Sequence, residues 1–150
     1  NHRNGLWSDD EAGVVLRALI PQCDVVFASE NEAALVVPPA DPAEAARAIA
    51  ALGPRHVVVK LGERGYTASI DGAVFGDVAV SVPVADPVGA GDAFVAGYLA
   101  SWLDGAPASE ALRTANLAGA FVVAVPGDWE GLPSRAELLA FADRTDAVSR

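Results

Sequence analysis

A glycine-rich turn that ends in an acid is the segment most able to do chemistry. It reads Asp86-Pro87-Val88-Gly89-Ala90-Gly91-Asp92-Ala93-Phe94, and it is expected to follow a strand and open a helix. From Ala93 to Leu103 that helix carries no charge, and Ser101 is its only strongly polar side chain. A helix apolar on every side is usually buried. Its first N–H groups have no partner inside the helix. Gly89, Ala90 and Gly91 add little bulk, so another molecule can reach the backbone there. With the helix dipole, this makes an anion site. Asp92 then has two readings. It caps the helix, as Asp commonly does, or it is a general base beside a phosphoryl group.

Other polar residues stand out against apolar surroundings. Lys60 is the only lysine, and it comes near the end of the apolar run His56–Leu61. It is either the snorkelling end of a buried strand or a ligand contact. Gly62 and Gly65, in Leu61-Gly62-Glu63-Arg64-Gly65, serve a turn, a bound group, or both. Asn116 sits in a helix otherwise lined by Ala, Leu and Phe, where an amide needs a partner. Glu32 reads as a helix-surface acid or as a site acid. Trp7, Trp102 and Trp129 read as packing. The glycine spacing excludes a G-x-x-x-x-G-K-[ST] phosphate loop, because no Lys follows. It also excludes a dinucleotide fingerprint, because Phe94 stands where the last Gly belongs.

Composition narrows the class. The 150 residues carry a net charge of −10, with 52% hydrophobic and 20% charged residues. That supports a folded core and excludes a disordered chain. Phosphate contacts to nucleic acid need clustered Lys and Arg, which are scattered here. The apolar runs near Ala93–Leu103 and Leu117–Val125 are too short to span a bilayer. His2 and His56 lie too far apart in sequence to suggest a metal cluster. Cys23 is the single cysteine, which excludes an internal disulfide and points to a reducing compartment, the cytoplasm. The chain has no methionine and reads as a fragment or a gene product cut at its front.

The elements that must position these residues follow from local signals. Ser8 and Glu11 form a capping box for a first helix, which Pro21 stops. Asp24–Ala28 reads as a strand, and a brief helix follows from about Glu30. Asp41 caps the next helix, Pro42 takes its first position and Gly53 ends it. His56–Leu61 reads as a buried strand because β-branched residues fill it. Tyr66–Ile70, the turn Asp71-Gly72 and Ala73–Phe75 predict a hairpin. Val78–Val84 reads as a further strand. Helices are expected at 91–103, 109–125 and 134–143, the last with a Ser134/Glu137 capping box. Alternating strands and helices imply an α/β fold with a mainly parallel sheet.

These residues resemble a known family. Asp86–Leu99 is similar to the C-terminal signature of the PfkB, or ribokinase-like, sugar kinases, and D-P-V-G-A-G-D-A-F matches it without a gap. The resemblance covers nearly the whole chain, which looks like the C-terminal half of such an enzyme. The N-terminal sugar-binding and lid portion would then be absent. Within the family the chain is most similar to 2-keto-3-deoxygluconate kinases, because Asn1-His2-Arg3 with Leu6-Trp7 resembles their N-x-R…L-W segment.

The resemblance implies a three-layer ribokinase-like α/β fold, ATP and Mg²⁺ as cofactors, and a site residue by residue. Asp92 would deprotonate the acceptor hydroxyl and contact the substrate. The N–H groups of Gly89, Ala90, Gly91 and Asp92 would hold the transferred phosphoryl. Lys60, Leu61, Gly62, Glu63, Arg64 and Gly65 would form the nucleotide loop, with Lys60 where the family has Thr. Asn116 and Ser29 would complete the nucleotide contacts. Glu32 matches the Glu of the N-x-x-E motif, which organises Mg²⁺ through water, and Ser29 replaces its Asn. Asp86 and Val88 fall where some members bind a monovalent cation such as K⁺, and Gly127 lies in the second segment of that loop. Arg3 would face a substrate carboxylate, which a guanidinium can bond through both oxygens. The branch usually has Pro after this Arg, and Asn4-Gly5 stands here.

The implied function is ATP-dependent phosphorylation of 2-keto-3-deoxygluconate or a related sugar acid. Rival readings are a nucleotide-binding half without activity of its own, and a kinase of the same fold for fructose, ribose or a nucleoside. The expected partners are ATP and a small sugar or sugar acid, with no nucleic acid and no membrane. Homodimerisation is expected through the lid portion upstream.

Overall fold

The computed structural model describes residues 2, 5–38, 41–127 and 131–148. Arg3 and Trp129 lie outside the described residues. The chain divides into two compact units, Asn1–Val78 and Ala79–Arg150. No helix among the described residues is long and apolar enough to cross a membrane.

The first unit is a four-stranded sheet with three helices. Helix α1 (Asp9–Leu19) starts at the Ser8/Glu11 capping box and leads into a 3₁₀ turn (Ile20–Gln22) that contains Pro21. Strand β1 (Val25–Ser29) runs directly into α2 (Glu30–Val36). Asp41 caps α3 (Pro42–Ala50), with Pro42 in the first turn. Then come β2 (His56–Lys60), a 3₁₀ turn (Gly62–Arg64), β3 (Tyr66–Ile70) and β4 (Ala73–Asp77). Asp71 at φ 49° and Gly72 at φ 83° form the hairpin turn. The strand order is β1-β2-β3-β4. The β1–β2 pair is parallel, whereas β2–β3 and β3–β4 are antiparallel. The balance therefore differs from the mainly parallel sheet expected. The Leu61–Gly65 loop and the Asp71-Gly72 turn are too short for a crossover, so each joins antiparallel neighbours.

The sheet is anchored by its middle. Val57 and Val59 of β2 cluster with Ala33 and Val36 of α2 and with Ala45, Ala46 and Ile49 of α3. Each fully buried Val or Ile contributes about 1.5–3 kcal/mol. This packing holds both β2 and the start of α2 in place.

Val78–Val84, expected as a strand, is irregular. A strand needs a neighbour to bond its backbone groups, and this run pairs with no described strand. Val78 and Val84 are exposed at 72% and 67%. The apolar pattern was present, but the pairing was not.

The second unit contains α4 (Ala90–Leu103), α5 (Ala108–Val123) and α6 (Arg135–Val148). Ser134 and Glu137 bond each other at the start of α6, as expected. Phe94, Tyr98, Leu112, Ala115 and Val122 are buried in this unit. Helices α4 and α5 cross closely because small residues line the contact. A Cβ on Gly97 would lie 2.9 Å from the Ala118 Cβ and 3.0 Å from the Thr114 carbonyl. Burial of α4 is one-sided rather than complete: Ala93, Phe94, Tyr98 and Ser101 are buried, but Leu103 is 75% exposed.

Candidate active site

In the first unit Ser29, Lys60 and the loop Leu61–Gly65, all expected to contact nucleotide, lie at one end of the β1–β2 pair. Ser29 is the last residue of β1 and Lys60 the last of β2, and they are register partners. The chain turns into α2 after Ser29 and into the Gly62–Arg64 turn after Lys60. Gly62 and Gly65 have φ of 62° and 91°, where a side chain would be strained, so both glycines answer a real turn requirement. The Leu61 N–H donates to the Gly65 carbonyl at 2.8 Å and closes the loop on itself. Arg64 bonds Glu30 at 2.5 Å and ties this loop to the first residue of α2. Glu63 and Arg64 are exposed, and Gly65 is buried.

Glu32 and Ser29 are joined in a way the sequence reading missed. Ser29 is the N-cap of α2, and Glu32 completes a capping box with it. The signal was the same S-x-x-E spacing that marks Ser8/Glu11 and Ser134/Glu137. The Ser29 N–H and hydroxyl both donate to Glu32 Oε2, at 2.8 and 2.9 Å. The His2 N–H donates to Glu32 Oε1 at 3.0 Å. Burial alone would raise the Glu32 pKa, but these donors outweigh it and hold the carboxyl below its ordinary 4.5. Glu32 is thus a half-buried carboxylate, charged at neutral pH, rather than a solvated surface acid.

In the second unit, Gly89 is the N-cap of α4, at φ 79°. No side chain caps this helix. Asp92 stands three residues further on, in the first turn, and is exposed. The capping reading of Asp92 is therefore excluded. Of the four N–H groups expected to hold an anion, that of Asp92 donates to the Gly89 carbonyl at 3.1 Å. Ahead of the turn, the Val88 N–H donates to Asp86 Oδ1 at 3.0 Å. The Ala85 and Asp86 N–H groups donate to the Val123 carbonyl, at 2.7 and 3.2 Å. These bonds fix the approach to α4 against the end of α5. Asn116 is 8% exposed on α5. One turn on, Gly119 lets α5 approach the start of α4, since a Cβ there would lie 3.3 Å from the Ala90 carbonyl. Gly127 has φ 111°, and residues 128–130 of its loop lie outside the described residues.

Comparison with known proteins decides the family. The pfkB family of carbohydrate kinases matches residues 1–135. The chain belongs to the PfkB carbohydrate kinase family. Among curated relatives of this PfkB chain is a 2-dehydro-3-deoxygluconokinase of Thermoproteus tenax, 37% identical over 139 residues, which are 91% of this chain and 43% of the relative. Another is a 2-dehydro-3-deoxygluconokinase of Bacillus subtilis, 34% identical over 151 residues, covering 97% of this chain and 46% of the relative. The chain spans less than half the length of both. Among solved structures, a ribokinase II from E. coli in complex with ATP and Mg²⁺ superimposes with a TM-score of 0.86 at 30% identity, over 96% of this chain and 47% of that one. An aminoimidazole riboside kinase from Salmonella enterica, complexed with its riboside and an ATP analogue, gives a TM-score of 0.82 at 26% identity, over 95% and 50%. The ribokinase-like α/β fold of the sequence reading is thereby established.

Proposed function

We propose that this chain is the nucleotide-binding and catalytic portion of an ATP-dependent cytoplasmic kinase acting on a sugar acid, with 2-keto-3-deoxygluconate as its acceptor. The observation that carries the reading is the start of α4. It is a glycine-capped helix end with an exposed acid in its first turn that does no capping. The substrate class draws support from the two 2-dehydro-3-deoxygluconokinase relatives and from Arg3, whose guanidinium suits a carboxylate.

In this reading Asp92 takes the proton of the acceptor hydroxyl. The acceptor oxygen forms a bond to the γ-phosphorus of ATP, the bond from that phosphorus to the β,γ-bridging oxygen breaks, and ADP leaves with the electron pair. The first N–H groups of α4, those of Gly89, Ala90 and Gly91, stabilise the charge on the transferring group. Lys60, Ser29, Asn116 and the loop Leu61–Gly65 hold the nucleotide. Arg3 orients the acceptor.

The residues fit Mg²⁺. Glu32 is a charged carboxylate fixed by three donated hydrogen bonds. Mg²⁺ is usually held through few carboxylates and several waters, which matches a single fixed acid. Bound there, the ion supplies charge neutralisation at the phosphate oxygens. The Asp86–Val88 turn is assigned to a monovalent cation, and a homodimer contact to a lid portion outside these residues.

A second reading rests on coverage: a chain under half the length of its relatives binds nucleotide without turning over an acceptor. The test is ADP release from Mg²⁺·ATP with 2-keto-3-deoxygluconate, fructose, ribose and adenosine in parallel. Turnover with the sugar acid supports the first reading. ATP binding with no turnover supports the second. Turnover with a neutral sugar alone removes the sugar-acid assignment.

A further inference from the structure

We propose that Tyr66 is a positioning residue for the nucleotide loop, acting on the side chain of Lys60. The two residues are the feet of that loop. Lys60 ends β2, Tyr66 begins β3, and they are register partners across the antiparallel pair. Between them the Leu61 N–H closes the loop on the Gly65 carbonyl at 2.8 Å. Residues directly opposite each other in such a pair share a face, with Cβ atoms about 5 Å apart. Successive residues of one strand point to opposite faces. Val57 and Val59 of β2 cluster with α2 and α3, so Lys60 and Tyr66 share the other face.

Tyr66 is the buried member of the pair. It is 7% exposed, whereas Lys60 is partly buried. A ring fixed at the foot of the loop gives the long lysine stem an apolar surface to lie along. That contact narrows the directions in which the ammonium leaves the sheet. The ring also stays neutral. Burial, with the Asp77 carboxylate opposite it on β4, pushes the phenol up to about 12. The face of an aromatic ring attracts a cation without cancelling its charge, which a carboxylate in the same place would do. The stem is thereby held without neutralising the charge that a phosphate would meet. The proposal rests on the nucleotide reading of Lys60 above.

Lys60 is the only lysine, so labelling the chain with ¹³C-lysine gives the NMR signals of this one side chain. A ring beside the stem moves those signals away from the values of a solvated lysine. Tyr66→Phe is expected to keep that displacement and Tyr66→Leu to abolish it. Lysine signals at solvated values in the parent chain overturn the proposal without any variant, nucleotide or turnover. Calorimetric titration with Mg²⁺·ATP reads the consequence for binding. Tyr66→Leu should raise Kd about fivefold, the upper end for one cross-strand pair. Tyr66→Phe should stay within about twofold of the parent, because the ring is kept. Lys60→Ala should raise Kd about tenfold or more, the scale of one hydrogen bond to a charged group. In the Lys60→Ala background, Tyr66→Leu should add nothing. A Tyr66→Leu loss that persists in that background, or an equal loss in Tyr66→Phe, overturns the proposal while leaving Lys60 in its nucleotide role. An unchanged Kd in Lys60→Ala removes the nucleotide reading of Lys60, and the positioning role falls with it.

Discussion

Ser29 and Lys60 are partners on the last rung of the parallel β1–β2 pair. A hydroxyl and an ammonium therefore leave the sheet side by side at the C-terminal ends of parallel strands. In open α/β sheets ligands bind beyond that edge. Arg64 and Glu30 pair at 2.5 Å across the loops that follow. Lys60 brings a cation to the same rung as Ser29, whose N–H and hydroxyl donate to the Glu32 carboxylate.

Asp92→Asn is expected to lower kcat by at least about 10²-fold, the low end for losing a general base. The substitution keeps the shape of the first turn of α4 and leaves Gly89 as its cap. ADP release measured against the parent chain checks it. Near-normal turnover would sink the base assignment.

Arg3→Ala should discriminate between acceptors. A sugar acid loses a bidentate partner, worth about tenfold or more in kcat/KM, whereas a neutral sugar loses nothing specific. Comparing 2-keto-3-deoxygluconate with fructose in the same preparation gives the answer. An equal loss for both acceptors removes the carboxylate role.

Gly97→Val should destabilise the second unit by about 1–3 kcal/mol. A Cβ at Gly97 already comes within 3.1 Å of the Ala115 Cα and 3.0 Å of the Thr114 carbonyl, and backbone cannot step aside cheaply. Urea midpoints compare the two chains. An unchanged midpoint means that α4 and α5 do not cross as closely as described.

Acid should loosen the Glu32 anchor. Its folded pKa lies below the ordinary 4.5, so its stabilising contribution is fully present above 4.5 and is lost as pH falls through the depressed folded value. The parent chain should therefore lose more stability than Glu32→Gln between about pH 6 and pH 3, because Gln cannot take up the proton. Denaturant unfolding at both pH values reads this out. Parallel losses in the two chains would show that the carboxylate is not held as described.

Much of this was legible in short stretches. The capping boxes at Ser8 and Ser134, the Asp41-Pro42 helix start and the Asp71-Gly72 hairpin are each set by a few neighbouring residues whose hydrogen bonds close locally. The DPVGAGDAF run marked the start of α4 for the same reason. Val78–Val84 shows the limit, since its apolar run looked like a strand and pairs with no described strand. Ser29 shows a different one. Its S-x-x-E signal is as local as the others, and the cap it forms with Glu32 closes within the same four residues.

The sequence by itself determined the residue types and the local turns: glycines with positive φ at Gly62, Gly65 and Gly89, an acid in the first turn of α4, and strands long enough to pair. Only the tertiary structure decided which end of each strand faces which neighbour. Register places Ser29 beside Lys60, the loop ion pair joins Arg64 to Glu30, and one carboxylate reaches both Ser29 and His2. The physical reason is range. Caps and turns are closed by hydrogen bonds within about four residues, whereas a bond across thirty residues exists only after the helices have buried β2 and brought the two segments together.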